Sequence, residues 1–211
     1  MYCDTSKSEH PDNVRFRADV ERWIGKPVLA IKSEKYSTVE EVFADTRYMS
    51  GPKGARCTTE LKKLPRFAFQ QADDIHIFGF TADETRRIDA FKMRNPELNL
   101  EWPLQEYGIF KDDCYRMIEA AGIKLPVMYS LGYKNNNCLG CVKATSPAYW
   151  QRVRATFPET FERRCTQSRD LGVRLVRVKG ERIFLDQLPK EERLEPVTED
   201  ISCGPECGQV G

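Results

Sequence analysis

Ile75-His76-Ile77-Phe78-Gly79-Phe80 is the stretch on which the fold turns. Its β-branched and aromatic residues make the clearest strand pattern in the chain, and it ends at a glycine. A helical pattern from Asp83 to Met93 follows, and Leu98 to Trp102 is strand-like again. Upstream, Val28-Leu29-Ala30-Ile31 reads as a short buried strand, and Thr38-Val39-Glu40-Glu41 is a capping box opening a helix to about Tyr48. Asp12 is expected to cap an amphipathic helix that carries Val14, Val20, Trp23 and Ile24 and stops at Gly25. Strands that alternate with helices imply crossover units and a parallel sheet.

Between these segments, Ser50-Gly51-Pro52-Lys53-Gly54 reads as a flexible loop, and a helical pattern runs from about Thr58 past Pro65. Further on, Asp112 to Ala121 is a helix ended by Gly122, and Ser146-Pro147 and Pro158 open two more, each with proline at the first position. Residues 173 to 185 read as a hairpin turned by Lys179-Gly180. Beyond Pro189 the chain is charged and then rich in Gly and Cys, with too little apolar content to order itself.

That tail matters because of Cys138-Leu139-Gly140-Cys141, where two intervening residues let both thiolates face one metal. Cys203 and Cys207, in Ser202-Cys203-Gly204-Pro205-Glu206-Cys207-Gly208, supply a second pair. Four cysteines complete a tetrahedral set, so a shared metal is expected to pin the tail to the Cys138 loop. Zinc and a 4Fe–4S cluster both take four thiolates and stay open as alternatives, beside plain packing of the cysteines. Cys3, Cys114 and Cys165 lie on apolar or helical faces and read as core, while His10 and His76 carry no ligand or nucleophile pattern.

Composition limits what such a site can mean. The 211 residues, 40% hydrophobic, suffice for a full core, and 33 basic against 32 acidic residues give no global electrostatic case for nucleic acid or membrane. No apolar run approaches a membrane span and the N-terminus is polar within four residues, so a cytoplasmic protein is expected, in a reducing compartment where eight cysteines favour metal over disulfides.

Tyr2-Cys3-Asp4-Thr5, Arg56-Cys57-Thr58-Thr59-Glu60-Leu61-Lys62-Lys63, Gly79-Phe80-Thr81-Ala82-Asp83-Glu84-Thr85-Arg86-Arg87 and Cys138-Leu139-Gly140-Cys141-Val142-Lys143 together resemble the phosphoadenosine phosphosulfate (PAPS) reductase family, in its phage and prokaryotic type. The resemblance spans nearly the whole chain. It implies an α/β fold of the adenine nucleotide alpha-hydrolase kind: a parallel sheet between helical layers, with a C-terminal helical and hairpin appendage and a cysteine metal site. Residues 1–134 would form the nucleotide-binding domain and 135–211 the Cys-rich metal-binding region. ATP or PAPS would sit at the strand ends, against Asp4, Thr5 and Ser6 on one side and Gly79, Asp83, Glu84 and Arg87 on the other. The alternative for Arg87 is a surface pair with Asp83.

The resemblance also marks departures. Family members begin with a strand, a Ser-Gly-Gly-x-Asp-Ser loop and a helix that would precede Tyr2, so the chain is expected to be a fragment, in preference to one completed by another chain. A strand-width gap between the strand at Tyr2 and that ending at Phe80 follows. Thr81 stands where sulfonucleotide reductases commonly carry Arg, which removes a bidentate oxyanion donor. In relatives that reduce adenylyl sulfate, a cysteine pair about eighty residues before a Cys-x-x-Cys joins it on an iron–sulfur cluster; here Cys57 is followed by Thr58. Cys57 is therefore a candidate fifth thiol, a redox partner or a packed side chain. Glu206-Cys207-Gly208 is similar to the family's tail whose cysteine attacks sulfur, so nucleophile and metal ligand compete for Cys207, and the nearby Cys203 favours ligand.

The function implied is reduction or transfer of sulfur on an adenine nucleotide, with a thioredoxin-type reductant as partner and a homodimer as a possible state. A rival reading is ATP-dependent sulfur transfer to nucleic acid, served by Arg152, Arg154, Arg163 and Arg164. A third is a metal-stapled binding protein without catalysis.

Overall fold

The structure is a computed structural model that describes residues 1–51, 54–191, 193–201 and 203. In chain order its elements are β1 (Tyr2–Cys3), α1 (Asp12–Ile24), β2 (Ala30–Ile31), α2 (Val39–Thr46), β3 (Ser50–Gly51), β4 (Gly54–Ala55), α3 (Arg56–Thr58), α4 (Leu64–Phe69), β5 (Ile75–Ile77), α5 (Thr85–Arg94), β6 (Asn99–Glu101), α6 (Pro103–Glu106), α7 (Lys111–Ala120), α8 (Val127–Ser130), α9 (Pro147–Thr156), α10 (Pro158–Asp170), β7 (Val176–Val178) and β8 (Glu181–Ile183). The fold is thus mixed helix and strand. Among the described residues no helix is long and apolar enough to cross a membrane.

Parallel pairing is present, but in two separate ladders. β1 lies beside β2 with Tyr2 opposite Ala30, and β5 beside β6 with Ile75 opposite Asn99. No backbone pairing joins the ladders among the described residues, so residues 28–31 and 75–80 do not share one sheet as the sequence pattern suggested. Nor is either ladder enclosed. Ile75 and Ile77 are 59% and 64% exposed, although parallel strands are ordinarily covered on both faces. The opposite side of β5 is covered by a small aromatic cluster of Phe80, Ile88, Phe91 and Trp102 with Phe78 against it.

Two other expectations change. No residue of α1 is buried, and Trp23 and Ile24 stay about half exposed; the helix is held by polar contacts instead. Asp12 accepts from the Val127 amide at 2.9 Å, Arg15 donates to the Lys124 carbonyl, and the Asp12 amide donates to His10 Nδ1. The stretch read as a flexible loop is instead a hairpin, with Ser50 paired to Ala55 and Gly51 to Gly54; Pro52 and Lys53 lie outside the described residues.

The main core gathers Val39, Val42 and Phe43 of α2 with Leu61, Met128, Trp150, Val153, Phe161, Leu175, Val176 and Leu185, from both sides of residue 134. Local signals explain its helices. Thr38 Oγ1 accepts from the Glu41 amide at 3.2 Å to cap α2, and Ser146 Oγ accepts from Tyr149 to cap α9. Arg56 to Phe69 is helical throughout, but Thr59–Lys63 forms a π-helical turn in which the Leu64 amide bonds the Thr59 carbonyl. Pro65 lacks the amide that an α-turn would need next, and the wider turn accommodates it.

The described part of the tail is tied down by contacts with the rest of the protein, beyond the metal that the sequence pattern suggested would pin it. Val197 and Ile201 are buried in the main core. Glu199 accepts from the amides of Thr145 and Ser146 and from Thr145 Oγ1, at 2.9 to 3.1 Å. Asn135 bonds Asp200 and the Ile201 amide, and Asn137 donates to the Ile201 carbonyl.

Candidate thiol centre and cavity

The loop around Cys138 and Cys141 is seated by its neighbours. Gly140 has φ +60°, and a Cβ there would lie 2.9 Å from Thr160 Cγ2, so glycine is required by both conformation and space. Arg164, only 1% exposed, donates to the Gly140 carbonyl at 3.0 Å and pairs with Glu40 at 2.8 Å. The Cys141 amide donates to Tyr149 Oη at 2.7 Å, and the Leu139 amide to the Ser8 carbonyl at 2.9 Å.

Onto this loop the tail delivers Cys203, and α3 delivers Cys57 from the other side. Thr58 Oγ1 lies 3.7 Å from Cys203 Sγ, and Lys62, on the π-helical turn, donates from Nζ to the Cys203 carbonyl at 2.9 Å. Cys141 and Cys203 share a side-chain hydrogen bond that, with Lys62 and Lys143 and against the cost of burial, pulls Cys203 well below the ordinary thiol range and raises Cys141. Burial, aggravated by the charge of Cys203, pushes the Cys57 thiol up to about 12. Burial likewise raises Cys138, against the pull of Lys62. For Lys62 burial would favour the neutral amine, yet the charges of Cys203, Cys138 and Glu9 outweigh it and keep the ammonium.

Four thiols, Cys57, Cys138, Cys141 and Cys203, thus lie within electrostatic reach of one another beside two cations. No disulfide joins the described cysteines. Among the described residues no group of three or more His, Cys, Asp or Glu side chains stands ready to hold a single metal ion. The donor set nonetheless suits a thiolate-bound group, because Lys62 and Lys143 offset part of the negative charge that four thiolates would bring. Cys207 lies outside the described residues. Cys57 was singled out in the sequence only through the family resemblance, and Lys62 was missed, since nothing local distinguishes a lysine that will point inward.

Beside the thiols opens a cavity of 690 Å³, lined at one end by Phe78, Gly79, Thr81, Asp83, Glu84 and Arg87 and at the other by Asn135, Asn136, Asn137, Ile201 and Cys203. Lys111, Cys114, Tyr115 and Tyr129 line it between. Arg87 packs its guanidinium 4.3 Å over the Phe80 ring and pairs with Glu84 rather than with Asp83, whose carboxylate accepts from Thr81 Oγ1 at 2.8 Å. Burial pulls the Lys111 ammonium below its usual range. Asp4, Thr5 and Ser6 do not line the cavity. Asp4 accepts from Ser6 Oγ at 2.6 Å and from the Ser6 amide, which holds its carboxyl low, and Thr5 is 2% exposed with its hydroxyl on Glu9. The helical arginines proposed for nucleic acid face inward or are engaged. Arg152 donates to Leu131 and Glu195 carbonyls, Arg154 to that of Leu188, and Arg163 and Arg164 share Glu40.

The chain matches no protein-family model, no curated protein and no solved structure.

Proposed function

We propose that the chain is an adenine-nucleotide enzyme of sulfur chemistry that resembles PAPS reductases. The observation that carries this reading is one cavity lined both by Arg87, Lys111 and Lys134, which would meet a nucleotide's oxyanions, and by Cys203, which would meet its reacting sulfur. Parallel pairing in both ladders supports the finer fold reading, a three-layer α/β sheet.

In this reading Cys57, Cys138, Cys141 and Cys203 would hold the metal group, whose bound form supplies a fixed charge and a clamp between tail and loop. Zinc and a 4Fe–4S cluster both take four thiolates and stay the two candidates for that group. Cys207 is then the thiol left for attack. Its sulfur bonds the sulfonyl sulfur of the substrate, and the bond from that sulfur to the phosphate oxygen breaks with its electron pair on the nucleotide. The resulting thiosulfonate is reduced by a thioredoxin-type dithiol, which becomes the disulfide as sulfite leaves. A cytoplasmic setting and a homodimer are part of the same proposal.

Calorimetry with PAPS, adenylyl sulfate and ATP tests it. At least one should bind, and Arg87→Ala should weaken that binding by about 1–3 kcal/mol. If none binds the wild-type chain, or if Arg87→Ala leaves affinity unchanged, the reading fails.

A further inference from the structure

The hairpin β7–β8 carries charge in an arrangement that its own stability does not favour. Arg177 and Arg182 stand directly opposite each other across the ladder, both exposed, where like charges repel. The turn between the strands is Lys179-Gly180, with φ +48° and +91°. A turn with two left-handed residues ordinarily takes Asn or Gly at the first, and lysine there is strained. Arg174 adds a fourth exposed cation and rests on the ring of Phe184 at 5.4 Å.

None of these four forms an ion pair among the described residues; Arg182 donates only to the carbonyls of Arg174 and Leu175. Two other arginines of this region do have carboxylates, Arg164 with Glu40 and Arg169 with Asp186. The single acid on the ribbon is Glu181, opposite Val178. None of the large exposed apolar side chains lies between residues 173 and 185, so the ribbon offers no anchor of the kind a docking peptide uses.

A row of exposed cations suits a polymer with regularly repeated charge. We infer that the exposed face of the β7–β8 hairpin binds the phosphate backbone of a nucleic acid, with the guanidinium groups of Arg177 and Arg182 and the ammonium of Lys179 on successive phosphates. Sequence is not read at this face. The Arg177 amide donates to the Thr145 carbonyl at 2.8 Å, so the ribbon is fixed to the segment that follows Cys141. The inference stands independently of the nucleotide reading, because it uses no residue of the cavity.

Fluorescence anisotropy on the whole chain tests it, with labelled single-stranded RNA and duplex DNA of about 20 nucleotides as probes. Arg177→Ala/Lys179→Asn/Arg182→Ala should lose roughly tenfold or more in affinity at low salt, and the slope of log affinity against log salt should fall by about 2 to 3. Arg177→Lys/Arg182→Lys should keep most of the binding. The triple substitution should also melt no lower than the wild type, since it relieves the opposed charges and the strained turn, and that separates lost binding from lost folding. Absence of wild-type binding to both probes, an unchanged slope in the triple variant, or equal displacement by polyglutamate at matched charge would each overturn the inference.

Discussion

Lys62 Nζ donates to the carbonyl oxygen of Cys203 at 2.9 Å, and this bond spans from a π-helical turn to the C-terminal tail. It places a cation beside Cys203, whose thiol Lys62 helps to pull below the ordinary range. Lys62→Met should remove a charge-assisted bond worth about 1.5–3 kcal/mol. Hydrogen exchange at the amides of Ile201 and Cys203 should then quicken by roughly ten- to a hundredfold. Unchanged exchange would mean that Glu199 and the asparagines hold the tail alone.

The thiol centre makes a second prediction, because Cys57 and Cys207 compete for the fourth ligand position. After anaerobic purification, Cys57→Ser should lower the bound metal sharply and Cys207→Ser should leave it near the wild-type level. About four irons with acid-labile sulfide per chain identifies a cluster, and about one zinc a single ion. The reverse pattern in the two variants would return Cys207 to the ligand set.

Glu199 ties the tail to the start of α9 by bonds to Thr145 and Ser146. Glu199→Ala leaves two amides and a hydroxyl to find water, and should cost about 1–3 kcal/mol. In urea unfolding the midpoint should fall with little change in slope. A shift below about 0.5 kcal/mol would show that water replaces the carboxylate without penalty.

Acid should act through Asp12. The Arg15 guanidinium, and next the Val127 amide, hold its carboxyl below the ordinary value despite partial burial. A depressed folded-state pKa stabilises the fold above the ordinary carboxyl range, and that contribution is lost as pH falls through the folded value. Asp12→Asn should therefore lower the melting temperature near neutral pH, and the difference from wild type should close as pH drops below about 4. A difference independent of pH would place the effect in packing rather than in charge.

Much of the local structure was legible in the chain. The Thr38 and Ser146 caps, the prolines opening α9 and α10, the turn at Gly25 and the hairpin through Lys179-Gly180 depend on contacts between near neighbours, which sequence displays directly. The Cys138-x-x-Cys141 loop belongs with them, since its spacing and Gly140 sit within four residues. What tertiary structure alone decided are the long-range choices: two parallel ladders instead of one sheet, an α1 without a buried face, and Cys57 and Lys62 turned toward Cys203. The tail shows the difference most plainly. By composition residues 189–203 lack the apolar content to order themselves, yet Val197 and Ile201 find a core built by α2, α9 and α10, and Glu199 finds amides that a helix start leaves unpaired. Its hydrogen-bonding partners include Ser146, 53 residues before Glu199, and Lys62, 141 residues before Cys203, both beyond the reach of any local pattern.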